Sequence, residues 1–255
     1  VDRIIDTAIG SAIALMANIL FSPEWAYQQF GEYLQKMLEA NKNYFSDVSS
    51  FFTGHAVPLN TYKLSRKEAY VALANISDAL NRMTAEPKSK QKNAAEYHEL
   101  VVLNYMMSSH TATLAAIVLV KSPPAPDAEY KPVVHAVIAN LDKTIEGLKI
   151  IASQTEEEKT VRSTLPVSNL ENSVSYESGS HIILDRLNER INKMVQIRRN
   201  ELERGITEVN TKTNLAVVKS INDQFNFIWK ISEDLLKIIV KRKIICVLYF
   251  MVFYF

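Results

Sequence analysis

"VDRIIDTAIGSAIALMANILFSPEWAYQQF", residues 1–30, carries no charged side chain between Thr7 and Pro23, with Arg3 and Asp6 at its head and Trp25 just past its foot. A secretory signal peptide needs a basic head and a small-residue cleavage site after its apolar middle. Here Asp2 offsets Arg3, and Ala12-Ile13-Ala14 lies inside the apolar run, so that reading is set aside. A membrane-crossing helix needs about 20 mainly apolar residues at 1.5 Å rise each. Residues 4–21 nearly supply them, and Trp25 and Tyr27 suit the water–lipid interface. A buried helix of a soluble protein would also accommodate Asp6 and Asn18. Ala8, Gly10, Ser11, Ala12 and Ala14 favour the membrane, because small residues let helices approach closely where no hydrophobic force joins them. Residues 1–21 are therefore expected to be a transmembrane helix. Because position 1 is Val rather than Met, an upstream portion is expected to precede it.

Outside this stretch the composition is that of a helical protein. The 255 residues include only 6 Gly and 8 Pro, with abundant Ala, Leu, Lys, Glu, Asn and Ile, which points to long helices rather than turn-rich sheets. Lys+Arg 29 against Asp+Glu 28 leaves +1. No global basic field exists to attract nucleic acid. The single cysteine, Cys246, excludes an internal disulfide framework and a multi-cysteine zinc site within one chain.

Ser22-Pro23-Glu24-Trp25 reads as a helix start, from a capping hydroxyl, a first-turn proline and a first-turn carboxylate. Phe30, Tyr33, Leu34, Met37, Leu38, Tyr44, Phe45, Val48, Phe51 and Phe52 follow at three- and four-residue spacing, one apolar stripe that Gly54 and Pro58 close. Ser65-Arg66-Lys67-Glu68 matches a capping box and is expected to open a helix through Ala69, Leu73, Ile76, Leu80 and Met83. A thickly apolar helix over about 93–120, with Leu100, Leu103, Met107, Leu114 and Val118, ends at "KSPPAPD". Val134, Val137, Ile138, Leu141, Leu148 and Ile151 mark another. Residues 154–178, polar and weakly periodic around Pro166, are expected to be a linker, and 179–243 a long helical hairpin that Gly205 bends or breaks. Residues 244–255, "IICVLYFMVFYF", are wholly apolar yet too short to span a bilayer. Lys241-Arg242-Lys243 before them suit a cytoplasmic membrane face, so residues 244–255 are expected to form a separate apolar tail that touches the bilayer from inside. The fold expected is all-α: an N-terminal transmembrane helix, an antiparallel helical bundle over 22–153 and a C-terminal hairpin.

Catalytic chemistry has little to stand on. His55, His98, His110, His135 and His181 form no HExxH pair, and "EYHE" at 96–99 reads as a solvated face rather than a ligand set. Loops of the GxxxxGK[ST], GxGxxG and GxSxG kinds are absent. Cys246 has basic neighbours but no paired histidine. The aromatic stripe suits a bundle core better than an aromatic ligand. No enzyme, cofactor or metal is expected.

"RIIDTAIGSAIA" at 3–14, then "FSPEW", "RKEAYVALANISDALNRMTAEP" at 66–87 and "YHELVVLNYMMSSHTATLAA" at 97–116 resemble the C-terminal portion of the FUSC family. These are fusaric-acid-resistance-like, aromatic-acid-exporter-related inner-membrane proteins of bacteria. The resemblance runs to about residue 240 and leaves the apolar ending unmatched. It implies two blocks of membrane helices, each followed by a helical cytoplasmic region, with this chain supplying the last membrane helix and the last such region. It places Arg3, Asp6, Thr7 and Gly10 in a late transmembrane helix, near a substrate pathway. By implication the partners are the lipid bilayer, upstream membrane helices of the same protein, a second copy, and a small aromatic or carboxylate substrate of the intact protein. The other reading open to the sequence is a soluble helical-bundle interaction module, with the first segment as core.

Overall fold

The computed structural model describes residues 2–20, 26–55, 57–88, 91, 93–120, 128–157, 177–205 and 209–254. Among them every regular element is helical: α1 (Asp2–Leu20), α2 (Ala26–Thr53), α3 (Leu59–Ala85), α4 (Ala94–Val120), a single 3-10 turn (Ala128–Tyr130), α5 (Lys131–Glu157), α6 (Glu177–Glu203) and α7 (Val209–Tyr254). Among the described side chains the core is drawn from α2, α3, α4, the 3-10 turn, α5 and α7, and those of α1 from Arg3 to Met16 contribute none of it.

The apolar stripe of α2 turns inward as its spacing demands. Phe30, Leu34, Met37, Leu38, Tyr44, Phe45, Val48 and Phe52 are buried, and Tyr33 and Phe51 pack at the margin. Gly54, at φ +87°, ends the helix, and the His55 amide donates to the Ser50 carbonyl (3.0 Å), closing the last turn. Gly205, at φ +75°, likewise ends α6, so the expected hairpin breaks there rather than bends.

The capping-box reading of Ser65 is overturned. Helix α3 begins six residues earlier, after Pro58, whose carbonyl accepts from the Thr61 and Tyr62 amides (3.0 and 3.2 Å). Ser65 lies inside the helix, buried, its hydroxyl donating to the Tyr62 carbonyl (3.1 Å). The cause is tertiary. Tyr62 packs its ring against Tyr44 and Phe51 of α2, at 6.1 and 6.2 Å, which stabilises a first turn that local capping alone would not specify. Burial pushes the Tyr44 phenol well above its usual range, and Tyr62 and Tyr70 reinforce the shift, so Tyr44 packs as a neutral phenol.

Helix α4 is long and apolar enough to cross a membrane by length and composition, with mean hydropathy 1.3 over an 18-residue stretch within Ala94–Leu119. Its inward face instead carries Asn104, Ser108 and Thr111 beside Leu100, Met107 and Leu114, all buried between α2, α3 and α7. An apolar helix surrounded on several sides is what a bundle centre requires.

Side-chain contacts fix helix directions. Tyr130 bonds Asn222, Asn140 bonds Ser232, and a Cβ at Gly147 would run into Ile239, so α5 and α7 run parallel at a constant offset of 92 residues. His110 contacts Gln224 and Tyr97 contacts Arg242, so α4 and α7 are antiparallel. Helix α5 continues to Glu157, past the start of the expected linker, and α6 begins at Glu177; residues 158–176, with Pro166, lie outside the described residues. Residues 21–25, holding the expected Ser22-Pro23 helix start, also lie outside them.

Candidate functional site

One end of the bundle gathers the features that the sequence singles out. Phe30 in the second turn of α2 and Tyr97 in the first turn of α4 bring their rings to 4.4 Å. The Arg242 guanidinium, late in α7, lies 4.5 Å from the Tyr97 ring centroid and donates from Nη2 to the Tyr97 hydroxyl at 2.6 Å. A cation over a ring that also accepts a hydrogen bond is attracted twice, by the quadrupole and by the oxygen lone pair. This contact ties the start of α4 to the last core turn of α7. Helix α1 ends five residues before α2 begins. Six Cα steps of 3.8 Å reach about 23 Å at most, so the end of α1 belongs to this same end of the bundle.

The candidate residues Arg3, Asp6, Thr7 and Gly10 all stand on α1 and are all exposed. At about 100° per residue they share one face with Ala14, while Ile5, Ile9, Ala12 and Met16 make up the opposite one. The Thr7 hydroxyl donates to the Arg3 carbonyl (2.8 Å), which satisfies it within the helix. No ion pair joins Arg3 to Asp6. A Cβ added at Gly10 would meet nothing within 4 Å, so the small-residue face is open. Ile4 is 76% exposed and Met16 70%, and every described α1 side chain from Arg3 to Met16 is exposed. An apolar helix left this bare requires lipid or another protein surface.

The sequence reading missed a polar centre in the core. The Asn41 amide donates to the side-chain and backbone oxygens of Asn104 (3.1 and 3.2 Å), and the Ser108 hydroxyl donates to Asn41 Oδ1 (2.5 Å). Asn104 in turn donates to the Leu100 carbonyl (2.9 Å). The signal was present: Asn41 falls on the apolar stripe, four residues after Met37 and three after Leu38. A satisfied buried amide pair fixes the register of two helices at some cost in stability. Replacing Asn41 with Ala is expected to lower stability by about 1–3 kcal/mol, since it strips partners from buried polar atoms. Urea unfolding measures this, and Asn104→Ala in the Asn41→Ala background should cost much less than in the parent.

The histidines do not converge. His55, His98 and His135 are exposed, as is Glu99. His110 Nδ1 lies 2.7 Å from Gln224 Oε1 and its ring stacks on Phe227 at 5.0 Å, joining α4 to α7. Side chains of His181 and Cys246 lie outside the described residues. An open groove of about 370 Å³ between α2 and α5 is crossed by ion pairs, Lys42 to Asp142 (2.8 Å) and Lys149 to Glu39 (3.6 Å). These four charges pair across the groove, and exposed pairs of this kind add about 0–1 kcal/mol each. Among the described residues no group of His, Cys, Asp and Glu could hold a metal ion.

No family model matches the chain, and no solved structure matches it. It is similar to the "Inner membrane protein YccS" of Escherichia coli, 26% identical over 114 residues, and to an uncharacterized protein of Haemophilus influenzae, 28% identical over 115 residues. Each match covers 45% of this chain and 16% of the relative, so the chain spans a small part of the proteins it resembles. Both similarities accord with a resemblance to FUSC-like proteins of the bacterial inner membrane, over less than half of this chain.

Proposed function

We propose that this chain is the C-terminal part of a FUSC-like inner-membrane efflux protein, in which α1 is the last membrane helix and α2–α7 form a cytoplasmic domain of regulatory or scaffolding role. The observation that carries the reading is α1 itself. It is apolar, bare on all its described side chains, and absent from a core that the other helices complete without it. Its Ile5–Ile9–Met16 face suits lipid, and its Arg3–Thr7–Gly10–Ala14 face suits close packing on upstream membrane helices. Lys241, Arg242 and Lys243 at the α1 end favour the cytoplasmic side. The substrate pathway then lies mainly in helices upstream, with Arg3 and Asp6 bordering it, and a small aromatic or carboxylate anion is the substrate class. Similarity to an inner-membrane protein accords with a role without catalysis.

Fractionation tests the placement. A chain running from Ser22 to Arg242 is expected to remain in the soluble fraction, and one running from Val1 to Arg242 to require detergent. Equal solubility of the two sinks the membrane assignment of α1 and returns the soluble interaction module.

A further inference from the structure

We propose that α7 makes a second membrane contact: residues 244–254 enter an anionic phospholipid leaflet from the same end of the bundle as α1, with Lys241 and Lys243 at headgroup level. The composition of residues 244–255 marks them as apolar, but composition does not say where they go. The fold does. The constant 92-residue offset from α5 and the antiparallel run against α4 carry α7 toward the start of α2. Arg242 is held there by Tyr97, which also touches Phe30, four residues into α2. The last core residue is Ile239. Beyond Arg242 the helix continues without a break to Tyr254, twelve residues and about 18 Å past the Tyr97 contact, with the α5 backbone alongside until Glu157, level with position 249 at the same offset. One leaflet contributes about 15 Å of hydrocarbon.

Charge selects the occupant. Residues 244–255 carry no acidic or basic side chain, and three cations stand in a row just before them. Arg242 is turned inward onto Tyr97, so positions 241 and 243 lie about 100° to either side of it, and Lys241 is exposed. A basic collar followed by an uncharged apolar helix is complementary to an anionic headgroup layer over hydrocarbon. An apolar pocket on another protein would not need the collar.

The single cysteine is a native probe at position 246. The chain labelled there with an environment-sensitive fluorophore is mixed with phosphatidylcholine vesicles, with or without phosphatidylglycerol, carrying nitroxide on the acyl chains. A version beginning at Ser22 removes α1 and makes this test independent of the reading of α1; the core does not use α1, so this version retains its fold. The expected result is blue-shifted emission quenched by the acyl nitroxide in both versions, stronger with phosphatidylglycerol. Lys241→Gln with Lys243→Gln is expected to weaken binding of the Ser22 version to phosphatidylglycerol vesicles about thirtyfold. Absence of quenching in the Ser22 version overturns the proposal, and leaves the α1 reading standing if the full chain still binds. Blue-shifted emission without lipid quenching overturns it in favour of a protein partner, and a loss below about threefold in the lysine variant overturns the headgroup contact.

Discussion

Phe225→Ala is expected to destabilise the bundle by about 3–5 kcal/mol, the range for truncating a fully buried aromatic. Phe225 has no exposed surface and meets three rings: Phe45 at 6.2 Å and Phe52 at 5.6 Å edge-on, and Tyr130 stacked at 4.9 Å. These residues come from α2, the 3-10 turn and α7, so one side chain joins three elements distant in sequence. Tyr130 is itself pinned, its hydroxyl donating to the buried Asn222 Oδ1 at 2.7 Å, and so cannot swing in to fill the cavity. The measurement is thermal or urea unfolding of the version beginning at Ser22, with a melting midpoint expected to fall by about 10 °C or more. Phe227→Ala is the control. Phe227 lies two residues on, is 49% exposed and stacks on His110, so its loss should cost about 1 kcal/mol or less. Equal effects at 225 and 227 would show that this end of the bundle is not packed as described.

The contrast between 225 and 227 also shows what a sequence discloses. Helical periodicity is a property of each segment alone, and it was legible: Ala69, Leu73, Ile76, Leu80 and Met83 all face the core of α3, as Val134, Val137, Leu141 and Leu148 do in α5. What depends on a second segment was not. Ser65 has the local pattern of a cap, but the helix start is set by Tyr62 against Tyr44 and Phe51. Asn41 sits on an apolar stripe, and only Asn104, 63 residues away, explains it. Composition misleads in another way at the chain's apolar ending. Reading 244–255 as a separate tail follows the change from charged to apolar residues, yet residues 209–254 contain neither Gly nor Pro, and the backbone continues as one helix of 46 residues. A change of solvent preference is not a break in hydrogen bonding. That Arg3, Asp6, Thr7 and Gly10 share one helix face follows from their spacing alone; the Tyr97–Arg242 tie needed the fold.

Gly147→Leu is expected to destabilise by about 3 kcal/mol or more, at the upper end of overpacking costs. A Cβ built at Gly147 would stand 2.6 Å from Ile239 Cγ2, whereas carbon atoms in contact normally stay about 3.5–4.0 Å apart. The neighbour cannot easily yield. Ile239 is 1% exposed, and a β-branched side chain in a helix has one strongly preferred rotamer. Even Gly147→Ala, which gains about 1 kcal/mol of helix propensity, is expected to show no net stabilisation because that gain is offset by the clash. The pairing is tested by combining Gly147→Ala with Ile239→Ala. The first should restore part of the volume removed by the second, so the double variant should be about 1–3 kcal/mol more stable than the sum of the two single changes. Additive effects would mean that α5 and α7 do not approach at this point. Ile239 precedes Arg242 by one helical turn, so the close approach at Gly147 also aims the end of α7. Gly147→Leu should therefore loosen the Arg242–Tyr97 contact, and in membranes it should broaden the depth distribution of a probe at Cys246 without abolishing lipid contact.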